Sequence, residues 1–355
     1  MGIAFRYVSR ELLAVFAVTA IVLLVIALGG RFMGYLQDAA LGKHSADALA
    51  KIMALRVPEF MQLTFPFSFY IALVLTVARL YADQEMTVLL TSGSAPRDVF
   101  AWVFASALVV AAAVYALSTQ VTPQANGVLE RFLIVESVER QFEMMTPGMF
   151  HALDNGAGVT YSETSSNEKR ELSQVFIADD SHGSSVTIWA ERGAQYIDAV
   201  TGSRFLLLRS GHRYEGVVGQ TPYRVVKFAT LAQRVEQRDP SLAGIEIDAQ
   251  PTAALRRDDP RSVAELHWRF ALPLMTLIAA PIGFVLARVP TRQGRFARIV
   301  PAVLAFLAYY FILLVSRNGL AVGRLPHWVG MWPAHLAFIG VGAVLMRRLN
   351  QPRAG

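Results

Sequence analysis

The sequence contains no cysteine among its 355 residues, and charged residues make up only 17% of it. The absence of cysteine excludes disulfide bonds, a thiol nucleophile and zinc sites built from thiolates. A typical globular protein has about 25% charged residues, so this chain has too few for an ordinary soluble enzyme. Its hydrophobic content of 54% and its mean hydropathy of +0.39 point the same way. Composition therefore indicates a membrane protein.

The apolar residues occur in blocks that are long enough to cross a bilayer. A hydrocarbon core about 30 Å thick requires about 20 consecutive apolar residues in a helix. Such blocks predict spans at residues 12–30, 60–78, 99–119, 270–287, 299–316 and 328–346. We therefore predict an α-helical polytopic membrane protein with six transmembrane helices.

Basic residues in the short loops set the expected orientation. Arginines such as Arg79, Arg97 and Arg292 are more frequent in the loops on one side than on the other. The positive-inside rule then places both termini in the cytoplasm. Arg31 and Arg317 oppose this bias, because they fall at the outer ends of spans one and five.

A long polar interval separates spans three and four, and its pattern changes along its length. Residues 127–142 have apolar side chains at helical spacing, which predicts a helix that continues span three. From about residue 156 the pattern becomes short alternating runs, separated by turn-forming stretches such as 179–183 and 200–203. This predicts an inserted all-β domain of the sandwich or jelly-roll class outside the cytoplasm.

The predicted domain organisation has three parts. Residues 1–120 hold spans one to three, and residues 121–262 form the insert, with its β part at about 156–232. Residues 263–355 hold spans four to six.

Signatures of enzyme chemistry are missing. The sequence has no phosphate-binding loop and no His-Glu-x-x-His motif, and its seven histidines are scattered without metal-ligand spacing. We therefore expect neither catalytic nor metal-binding residues. His335, inside span six, is either a proton-relay group or a hydrogen bonder between helices. The net charge of +6 is explained by arginines at span ends rather than by nucleic-acid binding.

The cytoplasmic segment 79–93 predicts a short amphipathic helix that stops at Gly93. Met86 and Val88 provide an apolar side, while Asp83 and Glu85 remain polar. The segment is either a connector lying on the membrane surface or a helix that docks into a partner's groove.

Three arginines fall at or just beyond the outer ends of spans one and five, namely Arg31, Arg317 and Arg324. Long cationic side chains at this depth can extend to the lipid headgroups without further function. Alternatively, arginines that line a cavity between helices bind phosphate through two parallel hydrogen bonds.

Taken in order, several segments of the chain resemble the LptF/LptG permeases of lipopolysaccharide export. The matching segments are Val57-Pro58-Glu59, the segment 80–93, Arg213-Tyr214-Glu215-Gly216, Ala264-Glu265-Leu266-His267-Trp268-Arg269 and the loop 290–295. The strand at 213–216 and the loop at 290–295 are more similar to the F subunits of that family than to its G subunits.

The resemblance implies a transporter subunit of the bacterial inner membrane. Such a permease pairs with a second, LptG-like permease on two copies of a cytoplasmic LptB-like ATPase. An LptC-like single-span protein with its own jelly roll and an LptA-like periplasmic bridge complete the system. ATP and Mg²⁺ are then expected in the ATPase, and no cofactor is expected in this chain. Two alternatives stay open, namely a permease of another ABC-type exporter that carries a lipoprotein or a peptide, and a membrane-anchored interaction protein without transport.

The resemblance also implies roles for individual residues. Arg31 and Arg317 correspond to basic positions that face lipopolysaccharide phosphates or core sugars, and Arg324 is added because it lies near them. Gly34 departs from the family, whose members often have a second basic residue there.

Two further sets of residues receive expected roles. Asp83, Glu85 and Met86 are expected to contact the ATPase. Alternation predicts that Phe176, Ile188, Phe205 and Leu207 line the jelly-roll interior.

Overall fold

The computed structural model of the protein describes residues 2–40, 46–143, 150–152, 158–161, 164–166, 171–179, 185–197, 204–216, 223–234, 246–288 and 299–350. Its helices are α1 (Ile3–Ala40), α2 (Ala46–Ala82), α3 (Glu85–Thr91), α4 (Pro96–Ala116), α5 (Thr122–Glu143), α6 (Pro260–Leu286), α7 (Ile299–Ala321) and α8 (Trp332–Asn350). Its strands are β1 (Phe150–Ala152), β2 (Gly158–Tyr161), β3 (Thr164–Ser166), β4 (Glu171–Asp179), β5 (Ser185–Ile197), β6 (Arg204–Gly216) and β7 (Arg224–Arg234).

The chain divides into two compact units, a helical unit of residues 1–130 and 245–355 and a sheet unit of residues 131–244. The predicted boundaries were at 120 and 262. The predicted turn at 179–183 begins with Asp179, the last residue of β4, and its remaining residues lie outside the described residues, as do the turn at 200–203 and the loop at 290–295.

Five helical stretches of the described residues are long and apolar enough to cross a membrane, and they coincide with predicted spans one to five. The predicted helical continuation of span three is α5, which follows α4 through a π-helical turn at Leu117–Val121. The helix α8 covers most of the predicted sixth span, but it is not among the five. Its last turn contains Arg347 and Arg348, which lower its apolar character.

Helix α6 is the centre of the helical unit. It packs against α2, α4, α7 and α8, and 61% of its most apolar stretch is buried, compared with 11% for α1. Gly283 allows the close approach of α2, because a Cβ atom there would lie 2.8 Å from a ring carbon of Tyr70. The apolar surface of α1 is thus largely left for lipid or for other chains.

The sheet unit contains one antiparallel sheet in the order β1-β2-β4-β5-β6-β7, with β3 paired to β4. The alternating runs of the sequence fall in β2, β4, β5, β6 and β7, so the all-β prediction for this region is confirmed at the level of an antiparallel sheet. A buried apolar cluster covers one part of it, made of Leu172, Val175, Ile188, Ala190, Leu206 and Leu208.

The alternation of side chains changes partway along the strands. Gln174 and Ser210 have left-handed φ angles of 51° and 54°, which non-glycine residues seldom adopt. As a result, Leu172 and Val175 are both buried although they are three residues apart. The alternation of buried and exposed side chains with a period of two is therefore interrupted at Gln174 and Ser210.

The predicted interior residues are corrected accordingly. Ile188 lies in the buried cluster, but Phe176 and Leu207 are only half-buried. The neighbours Leu206 and Leu208 are buried in place of Leu207, because the run 205–208 is apolar throughout and alternation could not select a face. The side chain of Phe205 lies outside the described residues.

Candidate functional site

The first turns of α6 carry the polar residues of the site. The helix begins at Pro260 and is capped by Asp259, whose carboxylate accepts hydrogen bonds from the backbone N–H (2.9 Å) and the hydroxyl (2.7 Å) of Ser262. These hydrogen bonds lower the pKa of Asp259, because they favour its charged form. Because the helix already begins at Pro260, both Glu265 and Arg269 lie within it. They are four residues apart, so their side chains are on one face.

Arg269 is a buried cation whose hydrogen bonds are complete. Its Nε donates to Glu265 at 2.9 Å, and Nη1 donates to the carbonyl of Gln250 and the hydroxyl of Thr252, both at 2.9 Å. Nη2 donates to the carbonyls of Ile247 (3.3 Å) and Asp248 (3.0 Å). A guanidinium has five N–H groups, and all five have an acceptor here. With only 2% exposure, Arg269 fastens the segment 247–252 to α6.

Two neighbouring polar contacts tie the same segment to the π-helical turn after α4. The hydroxyl of Ser118 donates to the carbonyl of Arg269 at 2.9 Å, and the hydroxyl of Thr252 donates to the carbonyl of Thr119 at 2.6 Å. A π-helical turn displaces carbonyls from the regular helical pattern, and such turns are frequent at functional sites. Here the turn supplies partners that a regular helix would not offer.

Glu265 is shared between two arginines. Its second oxygen accepts a hydrogen bond from Arg317 Nη2 at 2.7 Å, and the Arg317 guanidinium lies 4.8 Å from the centre of the Trp268 ring. Within this group of three residues, two positive charges face one negative charge. The Arg317 side chain is 34% exposed, so its guanidinium is accessible to an anion.

A cavity of about 120 Å³ adjoins this network. Its lining is mostly polar and consists of Glu59, Gln62, Leu63, Ser118, Thr122, Pro123, Asn126, Asp248, Glu265, Trp268, Arg269, Tyr310, Leu314 and Arg317. Burial, followed by the charge of Glu246, raises the pKa of Asp248. The cavity therefore presents both a cationic and an acidic wall.

The structure separates the three predicted cationic residues. Arg317 lines the cavity, whereas Arg31 and Arg324 are exposed and are not among the cavity's lining residues. Arg31 lies in the largely unburied helix α1, and Arg324 follows the end of α7.

His335 is buried between helices. Its Nδ1 lies 2.6 Å from the hydroxyl of Tyr309. The structure thus shows it as a partner in a hydrogen bond between α7 and α8.

We call residues 79–93 the coupling segment. It consists of the end of α2 followed by the short helix α3. Gln84 adopts a left-handed φ of 62° and separates α2 from α3. Glu85 accepts a hydrogen bond from the hydroxyl of Tyr7 at 2.8 Å, and Arg79 donates to that same hydroxyl at 3.2 Å. Arg79 also lies 3.9 Å from Glu85. This network joins the coupling segment to α1.

The surface of the coupling segment differs from the prediction in one respect. Met86 is 1% exposed and packs in the core of the helical unit, so the expectation that it contacts a partner is corrected. The apolar side chain of Val88 is 65% exposed, and Asp83 is exposed as well. The accessible face therefore includes Asp83, Gln84, Thr87 and Val88, with Glu85 partly covered.

Sequence reasoning missed Glu265 and Arg269 as site residues. Both were placed just before the fourth span, because a charged residue normally ends an apolar run. The available signal was their spacing of four residues, which allows an ion pair within one helix turn.

Comparisons with known proteins cover both units of the chain. The family described as "Lipopolysaccharide export system permease LptF/LptG" matches residues 6–348. The lipopolysaccharide export system permease protein LptF of Escherichia coli (strain K12) is 25% identical over 356 residues, which cover 97% of this chain and 94% of that protein. The LptF proteins of Escherichia coli O157:H7 and of Shigella flexneri match to the same extent.

Proposed function

The chain belongs to the LptF/LptG family of lipopolysaccharide export permeases, and from this premise we propose that it acts as the F-type subunit of its exporter. It is a multi-pass protein of the bacterial inner membrane and a transporter permease subunit. The match over residues 6–348, which includes both the helical and the sheet unit, carries the family assignment, and the 25% identity with LptF of Escherichia coli (strain K12) supports the F-type role. Family membership replaces the two alternatives that the sequence left open.

The proposal extends to topology and partners. The helix α8 serves as the sixth span, both termini lie in the cytoplasm, and the sheet unit is a periplasmic jelly roll. An LptG-like permease completes the membrane dimer, with two LptB-like ATPases that bind ATP and Mg²⁺, an LptC-like protein and an LptA-like bridge. The exposed apolar surface of α1 supports such an assembly, because a membrane helix with so little burial has surface available for another chain.

Arg317 is proposed to bind a phosphate of the lipopolysaccharide. Its hydrogen bond to Glu265 uses Nη2, and a guanidinium has further N–H groups for a phosphate. Trp268 holds the planar group in place by a cation–π contact. Arginine suits this role because its fork pairs with two phosphate oxygens and stays charged at every relevant pH.

The segment around α3 is proposed to dock on the ATPase. Asp83 and Val88 offer an exposed acidic and an exposed apolar contact. Glu85 is proposed to act at the edge of this contact, where Tyr7 and Arg79 fix its position. We expect Glu85→Lys to reduce ATPase co-purification, because it removes the acidic partner and places a cation beside Arg79.

The function is tested with the chain co-expressed with the permease and ATPase partners of its own genome and reconstituted in proteoliposomes with lipopolysaccharide. ATP should drive transfer of the lipid to a soluble LptA-like acceptor, measured by crosslinking. Absence of transfer in a complex that contains all subunits and hydrolyses ATP would refute the assignment.

The role of the arginines is tested in the same complexes by the lipopolysaccharide that co-purifies per complex. We expect Arg31→Glu to lower it most, Arg317→Glu next and Arg324→Glu least. The variant Arg317→Lys is the matched control, because it keeps the charge and removes the fork. Unchanged lipid content in an Arg31→Glu, Arg317→Glu double variant would mean that these residues only reach the lipid headgroups.

A further inference from the structure

Three carboxylates from distant parts of the chain converge in the helical unit. Glu130 belongs to α5, while Glu246 and Asp248 lie at the 3-10 turn Ile247–Ala249. One carboxylate oxygen of each lies within 4.8 Å of the others. Like charges repel at such distances, so a compensating interaction is required.

Hydrogen bonds hold two of these carboxylates in place. Glu130 Oε1 accepts a hydrogen bond from the backbone N–H of Glu246 at 2.8 Å. The side-chain nitrogen of Asn126 donates to Asp248 Oδ2 at 3.3 Å. Asn126 and Glu130 are four residues apart on α5, so both side chains extend from one face of that helix toward the 246–248 segment.

A second, independent observation is a pair of buried oxygens without partners. Asn126 and Thr122 are each only 4% exposed, yet Asn126 Oδ1 and Thr122 Oγ1 have no hydrogen-bond partner among the described residues. Native proteins rarely leave such atoms unsatisfied. Both residues line the cavity together with Asp248, and the Asn126 amide lies directly against the carboxylate group. A cation that binds oxygen atoms would give Asn126 Oδ1 a partner at this place.

Nearby positive charge does not neutralise the group. Arg56 is close enough to influence both Glu130 and Asp248, but its guanidinium is engaged with Glu59 at 2.6 Å. The three carboxylates thus keep an excess of negative charge.

We propose that Glu130, Glu246 and Asp248 bind one divalent cation of the calcium class, with the Asn126 amide turned by 180° so that Oδ1 rather than Nδ2 faces Asp248. Calcium binds carboxylate and amide oxygens at about 2.3–2.6 Å in flexible geometry. Two oxygens on opposite sides of such an ion lie about 4.6–5.2 Å apart, so a group whose oxygens all lie within 4.8 Å of one another can share one ion. Magnesium requires near-octahedral geometry at about 2.0–2.1 Å and usually keeps several waters, so a set of protein oxygens suits it less well than calcium. Zinc favours nitrogen and sulfur ligands, and none is among these residues.

The position of the site in the chain suggests what the cation does. Glu130 is the last residue of the helical unit before the sheet unit begins, and Glu246 follows the point where the chain returns. A cation bound here joins the outgoing and the returning segment at their base. This role is independent of which lipid the complex carries.

The test uses the full-length chain, purified in detergent, treated with EDTA and then titrated with CaCl₂ or MgCl₂. Equilibrium dialysis with radioactive calcium measures stoichiometry over about 10⁻⁶ to 10⁻² M, a range that includes extracellular calcium modules. We expect one calcium ion per chain, a rise in the apparent Tm with calcium and a smaller rise with magnesium. Loss of binding to background is expected for the Glu130→Gln, Asp248→Asn double variant.

Two further variants keep the result interpretable. Asp258→Asn removes an exposed carboxylate of the same unit and should leave calcium binding unchanged. Asn126→Asp supplies a fourth carboxylate and should lower the calcium Kd, which a mere folding defect could not do. Absence of calcium binding by the wild-type chain, or equal binding by the double variant, would overturn the proposal.

Discussion

Replacing Glu265 with alanine should destabilise the helical unit more than any comparable change at an exposed ion pair. The substitution removes the carboxylate that both Arg269 and Arg317 use. Arg269 is 2% exposed, so water cannot solvate its guanidinium in place of the lost carboxylate. It would keep its four other hydrogen bonds to the 247–252 segment.

The magnitude follows from burial. A hydrogen bond to a charged group contributes about 1.5–3 kcal/mol when it is lost in a buried place. The half-exposed pair with Arg317 adds at most about 1 kcal/mol, because solvent screens it. We therefore expect Glu265→Ala to lower the free energy of unfolding by about 2–4 kcal/mol, which is less than the loss of a buried ion pair without other partners.

The measurement is the thermal unfolding of the detergent-solubilised chain, followed by tryptophan fluorescence. Arg256→Ala is the matched control, because Arg256 and Asp258 are joined at 2.6 Å but their side chains are 75% and 67% exposed. That control should unfold like the wild type, and Arg317→Gln should fall between the two. Equal unfolding temperatures for Glu265→Ala and Arg256→Ala would refute the reasoning.

Three more outcomes follow from the packing and the caps. Val88→Asp should abolish ATPase co-purification without changing the Tm, because the Val88 side chain is exposed. Met86→Ala should instead lower the free energy of unfolding by about 2–5 kcal/mol, because it leaves a cavity in the core. The reverse pattern would exclude the proposed docking face. Gly283→Ala should cost about 1–3 kcal/mol, since its Cβ would lie 2.8 Å from a tyrosine ring carbon of α2, and Gly342→Ala, with a nearest contact of 3.4 Å, should be neutral. The pKa of Asp259 is lowered in the folded state, so its contribution to stability is present above the unfolded pKa and is lost as the pH falls through the folded pKa. Asp259→Asn should keep the cap and remove this acid-dependent loss, which thermal unfolding at several pH values would detect.

Much of the fold was predictable, because a long apolar block favours a membrane-spanning helix and a short alternating run favours a β-strand. Five predicted spans coincide with apolar helices, and five alternating runs coincide with strands. The face of each strand was less predictable. The left-handed backbone at Gln174 and Ser210 interrupts the alternation of buried and exposed side chains. A glycine at these positions would have indicated a left-handed φ, but glutamine and serine do not.

The candidate site was predictable only in part. Arg317 was singled out because a basic residue at the outer end of a span opposes the positive-inside rule. Its partner Glu265 and the neighbouring Arg269 were missed, because the acceptors that make a buried Arg269 tolerable are carbonyls of residues 247–250, about 20 positions away. Such long-range hydrogen bonds have no local pattern in the sequence.

The two arginines on Glu265 differ in a way that bears on how a bound phosphate would act. A phosphate that takes Nη2 of Arg317 in addition to its other N–H groups would compete with Glu265, and this exchange would replace one anionic partner by another. Arg269 cannot take part, because its five donors are all used inside the protein. When Arg317 exchanges its partner, Glu265 therefore stays with Arg269, and the frame formed by α6 and the 247–252 segment remains in place. What changes is the tie between α6 and α7, the helix that carries Arg317. Under the proposed phosphate binding, α7 would respond to the lipid headgroup while the 247–252 segment stays fastened to α6.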